Sequence, residues 1–462
     1  MLKKLSLIGG AVAGILAATP SMADVPVINE GTTGVVVLTI AGSSAFQGAF
    51  ENEVGASGAT CTSAAIKYTA TVTTAPAPGL FAYTCMSKVP GPFATSKPLL
   101  IYYRTEGGSI YGITPTVRAS STPLRLQLTA ISNCTAVVSN ASNCAVGTSF
   151  DAVSDTLAGT PTNVTTSNTD LGLSDVEPAM FTGTNYPDAG TYAKVAGPLT
   201  AAELSTLNGH KSILALQSFA VYTHNQASAT GADAEFNNVG SLSKSVLAEI
   251  FKGTFNDWNQ VPKADGSNTT VTSTSLPIVL CRREPGSGTQ VSASVFFHKT
   301  GCKGGSDVFA SQDNPGNLGT INQLTTTGNM QSCISNNPGA IGYTSSAANA
   351  TGRTVLAIDG KSPLDGGSGK SIPVASGSYG FAYEMVALTR AGLTGDPSTL
   401  AGKLITTLQD YTKGPASLSI SFLPTGSNGS HAGFPLDVSQ KGPISCFSRS
   451  GSSCNDLADT GC

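Results

Sequence analysis

Charge is scarce in this chain: Asp, Glu, Lys and Arg make up 11% of 462 residues, and the formal net charge is -3. A nucleic-acid backbone demands a basic stripe that neutralises several phosphates, and none runs through the sequence, so that class of partner is excluded. Histidine is rarer still. His210, His224, His298 and His431 lie far apart and beside no cysteine or acidic cluster, and the cysteines form no CxxC pair, so no metal site is expected. Beyond the N-terminus no apolar run is long enough to span a bilayer, which excludes later transmembrane helices.

What is present begins with Met-Leu-Lys-Lys, an apolar stretch from Leu5 to Ala18, and Thr19-Pro20-Ser21-Met22-Ala23 before Asp24. A short charged region, a greasy core and small residues at a cut are the parts of a secretory signal, expected over residues 1–23. No cysteine follows the cut, so no lipid anchor is expected there, and the mature chain should be periplasmic or secreted. Its roughly 439 residues exceed what one hydrophobic core usually organises, which predicts two lobes. In an oxidising compartment the ten cysteines favour disulfides. Cys61 with Cys85 and Cys134 with Cys144 would close local loops, while Cys446, Cys454 and Cys462 crowd a tail in need of stapling.

Along the chain, Gly34–Ile40 (GVVVLTI), Leu99–Arg104 (LLIYYR) and Pro277–Cys281 (PIVLC) read as buried strands. Each runs into small residues, and helical patterns follow the first and third, over Phe46–Val54 and Gln290–His298. Ser241–Phe251 has a helix signature, with Ser241 or Ser243 as N-cap and Gly253 ending it. Ser212–His224 and Gly380–Leu388 are apolar enough to cross between lobes. Strands alternating with helices indicate an α/β fold. Residues from about Cys61 to Pro92 and from Asn133 to Ser167 have weak periodicity and read as disulfide-pinned insertions.

Chemistry is expected where Ser, Thr or Gly stands at a strand end before a helix. Backbone N–H groups there are unpaired, and the helix dipole favours an anion. In Arg282-Arg283-Glu284-Pro285-Gly286-Ser287-Gly288-Thr289 a guanidinium precedes such a turn by four residues, which adds full charge to the donors. This segment, with Asp170-Leu171-Gly172-Leu173-Ser174-Asp175, Gly42–Phe46, Leu247–Gly253 leading to Trp258-Asn259, and Pro338–Tyr343, resembles the phosphate-binding protein of the bacterial phosphate ABC transporter. The resemblance spans most of the chain in the family's order.

It implies a two-lobe fold of the class II periplasmic-binding-protein type, with two crossing strands as hinge. Lobe one would comprise residues 24–212 and 378–462, and lobe two residues 213–377. It further implies that Arg283 donates to an oxyanion, that Ser287, Gly288 and Thr289 cap it from one lobe, and that Ala45 and Phe46 offer backbone N–H groups from the other. Ser44 or Ser43 would supply a hydroxyl, and Ser109, in the loose counterpart of a serine-glycine loop, another. Asp175 would discriminate, because a carboxylate tolerates an anion that carries a proton and repels fully ionised sulfate. The competing structural role is a helix N-cap, Ser174 or Asp175 ahead of Val176-Glu177, and that of Arg283 is a surface salt bridge with Glu284 or another acid.

The ligand is expected to be inorganic phosphate or a similar oxyanion, with an ABC permease as partner, a monomeric chain and no cofactor. The chain departs from the family at Ala45, where threonine is common, and at Pro285, where aspartate is usual; Arg104 and Glu106, beside the loose counterpart of the serine-glycine loop, are unexplained. Two other readings share the scaffold: a secreted phosphatase, although no G-x-S-x-G elbow is present, and a surface protein that has lost its ligand. Trp258 and Tyr343 are expected to pack, and Gly366–Ser371 to form a flexible loop.

Overall fold

The computed structural model describes residues 28–55, 58–74, 78–129, 134–187, 189–190, 192–225, 230–305, 320–346, 352–364, 372–409, 422–423, 447–450 and 452–459. The expected signal, the Gly366–Ser371 loop, His431, Cys446 and Cys462 lie outside the described residues. Among the described residues no helix is long and apolar enough to cross a membrane.

In chain order the principal elements are β1 (Val36–Gly42), α1 (Gln47–Glu53), β2 (Ile66–Val72), β3 (Leu80–Met86), β4 (Pro98–Arg104), α2 (Ser109–Val117), β5 (Ala141–Gly147), β6 (Leu171–Ser174), α3 (Ala201–Gly209) and β7 (Lys211–His224). They continue as α4 (Lys244–Lys252), β8 (Val279–Arg283), α5 (Gly288–His298), β9 (Thr320–Leu324), α6 (Thr327–Asn336), β10 (Ala340–Ser345), β11 (Arg353–Ile358), β12 (Ala382–Thr389) and α7 (Gly395–Gln409). The strands join one mixed sheet in the order β9-β8-β10-β7-β12-β6-β1-β4-β3-β2-β5, with β11 also paired to β7.

The sheet has two halves. β1 lies parallel between β4 and β6, and β8 lies parallel between β9 and β10. β7 joins them, since Lys211–Ser218 pairs antiparallel with β12 and Phe219–Thr223 pairs antiparallel with β10. The fold is therefore α/β with two lobes and two antiparallel crossing strands, β7 and β12. Eleven of the fourteen β7 residues are buried, as a strand covered on both faces requires.

Local chemistry explains several boundaries. Ser243 caps α4 through Val246 N–H, and Gly253 ends it in the left-handed conformation, as the Ser/Gly punctuation predicts; Ser241 stands in a short strand. α3 starts with a capping box between Thr200 and Glu203. The two Thr/Ser-rich stretches are pinned by the expected disulfides, Cys61–Cys85 and Cys134–Cys144, yet they also carry β2, β3 and β5 of the main sheet. Their strands escape a hydrophobicity reading because small and polar residues fill them. In β2 only Ile66, Tyr68 and Ala70 are buried, and in β5 Ser142, Cys144 and Val146.

Two further disulfides join distant segments, Cys281–Cys333 and Cys302–Cys454. The largest buried cluster runs through both halves, from Ala41, Ile110 and Val176 to Trp258, Leu280, Tyr343 and Phe381. Trp258 packs on Phe236 and donates its indole N–H to the Gly339 carbonyl at 2.8 Å, satisfying the one polar atom it buries. α2 presses on β6 so closely that a Cβ on Gly172 would lie 1.6 Å from the Gly112 carbonyl oxygen, which requires glycine there.

Candidate functional site

The parallel strands β1, β4 and β6 end on one edge, and the turns that follow them meet the turn after β8 from the other half. Strand ends of this kind are where open α/β sheets place ligands. From the first half come Ser43, the Gly107-Gly108-Ser109 turn that opens α2, and Asp175. From the second come Gly286, Ser287, Gly288 and Thr289 at the start of α5.

Asp175 is the centre of this meeting. Its Oδ1 accepts the Ser43 hydroxyl, its Oδ2 accepts the Thr289 hydroxyl at 3.2 Å, and its own N–H donates to Ser109 Oγ at 3.2 Å. The Thr289 backbone N–H also serves the carboxylate. Burial pushes the Asp175 carboxyl above the usual range, and the Ser43 hydrogen bond and the Arg283 charge oppose that rise. A carboxylate thus stands at the N-terminus of the eleven-residue α5, where a helix receives negative charge best. Gly288 makes the approach possible: a Cβ there would fall 2.3 Å from Ser109 Oγ and 2.8 Å from Asp175 Cβ.

The halves also bond directly. Ile110 N–H donates to the Gly286 carbonyl at 3.0 Å, and Gly286 N–H donates to the Asn185 carbonyl at 2.9 Å. Ser294 Oγ of α5 donates to Asn185 Oδ1 at 3.2 Å.

Arg283 is buried at the end of β8, with Nε donating to the Leu324 carbonyl at 3.1 Å and Nη2 to the Thr325 carbonyl at 2.8 Å. Among the described residues it makes no ion pair, so the expected alternative of a salt bridge with Glu284 is not what holds it. Neutral carbonyls fix the guanidinium and leave its charge to act on Asp175, Glu106 and Glu284. Burial pushes Glu284 up to about 7, with Glu106 adding to the rise and Arg283 and the Tyr192 hydroxyl opposing it.

The expected residues take different parts in this meeting. The hydroxyl that reaches Asp175 belongs to Ser43, because Ser43 N–H is bonded to the Leu173 carbonyl at 3.0 Å beside it; Ser44 is half-buried and makes no side-chain hydrogen bond among the described residues. Residues 44–46, including Ala45, form a 3-10 turn in which Phe46 N–H is directed back to the Ser43 carbonyl at 3.4 Å, so that amide closes a turn. The Ser287 hydroxyl is engaged as the N-cap of α5, accepting from Gln290 N–H. Asp175 is no helix N-cap: the 3-10 turn beyond it, Pro178–Met180, begins after Glu177.

Arg104 and Glu106, unexplained by sequence, are buried beside this region. Arg104 pairs with Asp155 at 2.6 Å, donates to the Glu106 and Leu124 carbonyls, and lies 3.9 Å over the Tyr111 ring. Asp170, at the other end of the Asp170–Asp175 segment, accepts Thr39 N–H at 3.0 Å and pairs with Arg390 at 2.8 Å, tying β6 to β1 and to the end of β12. Among the described residues no three His, Cys, Asp or Glu side chains gather as a metal site.

Residues 153–407 match the model of the PBP superfamily domain. Similar solved structures include a putative phosphate ABC transporter substrate-binding protein with bound phosphate from Clostridium perfringens, at 14% identity over 84% of this chain and 99% of that one, with a TM-score of 0.45. An ABC-type phosphate transport receptor from Vibrio cholerae shows 18% identity over 55% of this chain and 79% of its own, with a TM-score of 0.35. A phosphate-binding protein from Stenotrophomonas maltophilia shows 14% identity over 55% and 72%, with a TM-score of 0.30. No curated protein sequence matches this chain. With more than half of its length matched by that family model, the chain belongs to the PBP superfamily.

Proposed function

We propose that this protein is an extracytoplasmic solute-binding protein that captures inorganic phosphate, or an oxyanion of the same shape and charge, between its two lobes and presents it to an ABC permease. The observation that carries the reading is the convergence on Asp175 of hydroxyls and amides from both halves, Ser43 and Ser109 from one and Thr289 from the other. Arg283 contributes positive charge from a buried position with no ion-pair partner among the described residues. Four disulfides fit the oxidising compartment that export implies.

The Asp175 carboxylate accepts the donors that an oxyanion would use. An entering hydrogen phosphate takes over the Ser43 and Thr289 hydroxyls and the α5 amides through its oxygens and donates its own proton to Asp175. Fully ionised sulfate has no proton to give, and two anions would face each other in a buried site. Lobe one is assigned residues 24–212 and 378–462 and lobe two residues 213–377. Closure about β7 and β12 desolvates the anion and strengthens every hydrogen bond to it.

Titration calorimetry with phosphate, arsenate and sulfate on wild type and Asp175→Asn tests this. At the Asp175 site phosphate and arsenate are expected to bind wild type and sulfate to be excluded, while the variant gains a sulfate site that wild type lacks. Sulfate binding that Asp175→Asn leaves unchanged removes the role of Asp175, and no phosphate binding at all removes the function.

A further inference from the structure

At the far end of α5, about 16 Å from its N-terminus for an eleven-residue helix, the C-terminal segment crosses both halves. Arg449 donates Nε to the Ala382 carbonyl and Nη2 to the Gly380 carbonyl, each at 2.9 Å, and lies 4.3 Å over the Tyr383 ring. Arg449 N–H bonds Glu384 at 3.1 Å, and Ser453 N–H bonds Glu177 at 2.7 Å. Cys454 is disulfide-bonded to Cys302, just past α5. This segment walls one side of a cavity of about 250 Å³, whose other walls include Lys244, Phe296, Lys299 and Gly380.

The charges of that lining do not balance. It carries three cations, Lys244, Lys299 and Arg449, and one acid, Asp456. The Lys244 ammonium sits 3.9 Å over the Phe296 ring, and neither it nor Lys299 makes an ion pair among the described residues. Among the described residues the Arg449 guanidinium donates only to carbonyls, those of Ala382, Gly380 and Asn455, which fix its position without cancelling its charge. Asp359, whose Oδ1 accepts the Lys244 backbone N–H at 3.0 Å, is the other acid acting on that ammonium. Burial lowers the Lys244 pKa, Arg449 and Lys299 add to the drop, and Asp456 and Asp359 oppose it, as expected of a cation held among cations.

We propose that this cavity is a second binding site, separate from the Asp175 site, for a small dianion of the sulfate, phosphate or dicarboxylate class. Lys244 and Lys299 supply the donors, and Arg449 supplies fixed positive charge. A pocket of this size suits a small anion and lies below the usual range for larger ligands. The occupant joins α4, the end of α5 and the C-terminal segment, and so holds that segment against β12.

The test uses the full mature chain at low ionic strength, titrated calorimetrically with sodium sulfate and separately with malonate. The proteins are wild type, Arg283→Gln, and the double variant Lys244→Gln with Lys299→Gln. At least one dianion is expected to bind saturably to wild type, to bind Arg283→Gln with unchanged affinity, and to bind the double variant at least tenfold more weakly. Lys244→Arg, which keeps the charge, should retain binding and so separates loss of the site from loss of the fold. Absence of saturable binding of either anion to wild type, or affinity unchanged in the double variant, overturns the proposal and marks adventitious anion association. Loss of phosphate binding in Arg283→Gln bears on the Asp175 site alone, so the two readings fail separately.

Discussion

Gly288→Ala probes the meeting of the two halves more sharply than removing any hydrogen bond. The backbone at this first position of α5 is not left-handed, so alanine is accepted locally and even favoured by helix propensity. The added Cβ would nevertheless lie 2.3 Å from Ser109 Oγ, 2.8 Å from Asp175 Cβ and 2.9 Å from Asp175 Oδ2. The Ser109 hydroxyl can rotate away, at the loss of its bond from Asp175 N–H. The Asp175 Cβ cannot, because it follows directly from β6, and relief requires the halves to part by several tenths of an ångström. Overpacking of this kind costs about 1–3 kcal/mol, which is about 5- to 150-fold in affinity.

The cost falls on the contact that the structure shows between the two turns, so the variant should lose phosphate affinity in that range and its thermal midpoint should fall as well. Calorimetric titration and a thermal scan measure both. Affinity within threefold of wild type would refute the reasoning, because the two turns could not then approach as described when ligand is bound.

Glu284→Gln tests the buried acid beside Arg283. With a native pKa of about 7 against the ordinary 4.5, the folded chain holds a proton that the unfolded chain releases, so stability falls as pH rises from about 4.5 to about 7. That contribution is at most roughly 3 kcal/mol. Urea unfolding at pH 5 and pH 8 should show a smaller pH difference in the variant, and an unchanged difference rejects the assignment. Arg104→Met leaves Asp155 buried with the Leu124 N–H at 2.7 Å as its one partner among the described residues, and should cost about 3–5 kcal/mol; adding Asp155→Asn should recover part of the loss in the same unfolding assay. Replacing Cys302 and Cys454 together by serine removes a link between segments 152 residues apart and should lower stability by about 2–5 kcal/mol, read as a lower denaturant midpoint.

Which features were legible in sequence follows from how local their causes are. The α4 boundaries depend on Ser243 and Gly253 alone, and α5 starts where a Gly-Ser-Gly turn leaves amides unpaired, so a few neighbouring residues suffice. The crossing strands were visible as long apolar runs because both faces of β7 and β12 are covered. β2 and β5 were hidden because their buried positions are taken by Ala, Ser and Cys as well as by larger residues, which weakens the alternation.

The turns carrying Asp175, Ser109 and Thr289 could be named from sequence, since each is a strand end with small residues. Tertiary structure decided how they are used. Ser43 rather than Ser44 reaches the carboxylate because β1 and β6 pair in a register that bonds Ser43 to Leu173. Arg283 takes neutral carbonyls from residues 324 and 325, which β9 delivers by pairing in parallel with β8. The Cys281–Cys333 and Cys302–Cys454 links and the cation-lined cavity likewise join segments far apart in the chain. Local preference determines what a turn can offer, but only the packed chain determines which distant group it meets, because that meeting depends on the summed geometry of every strand between them.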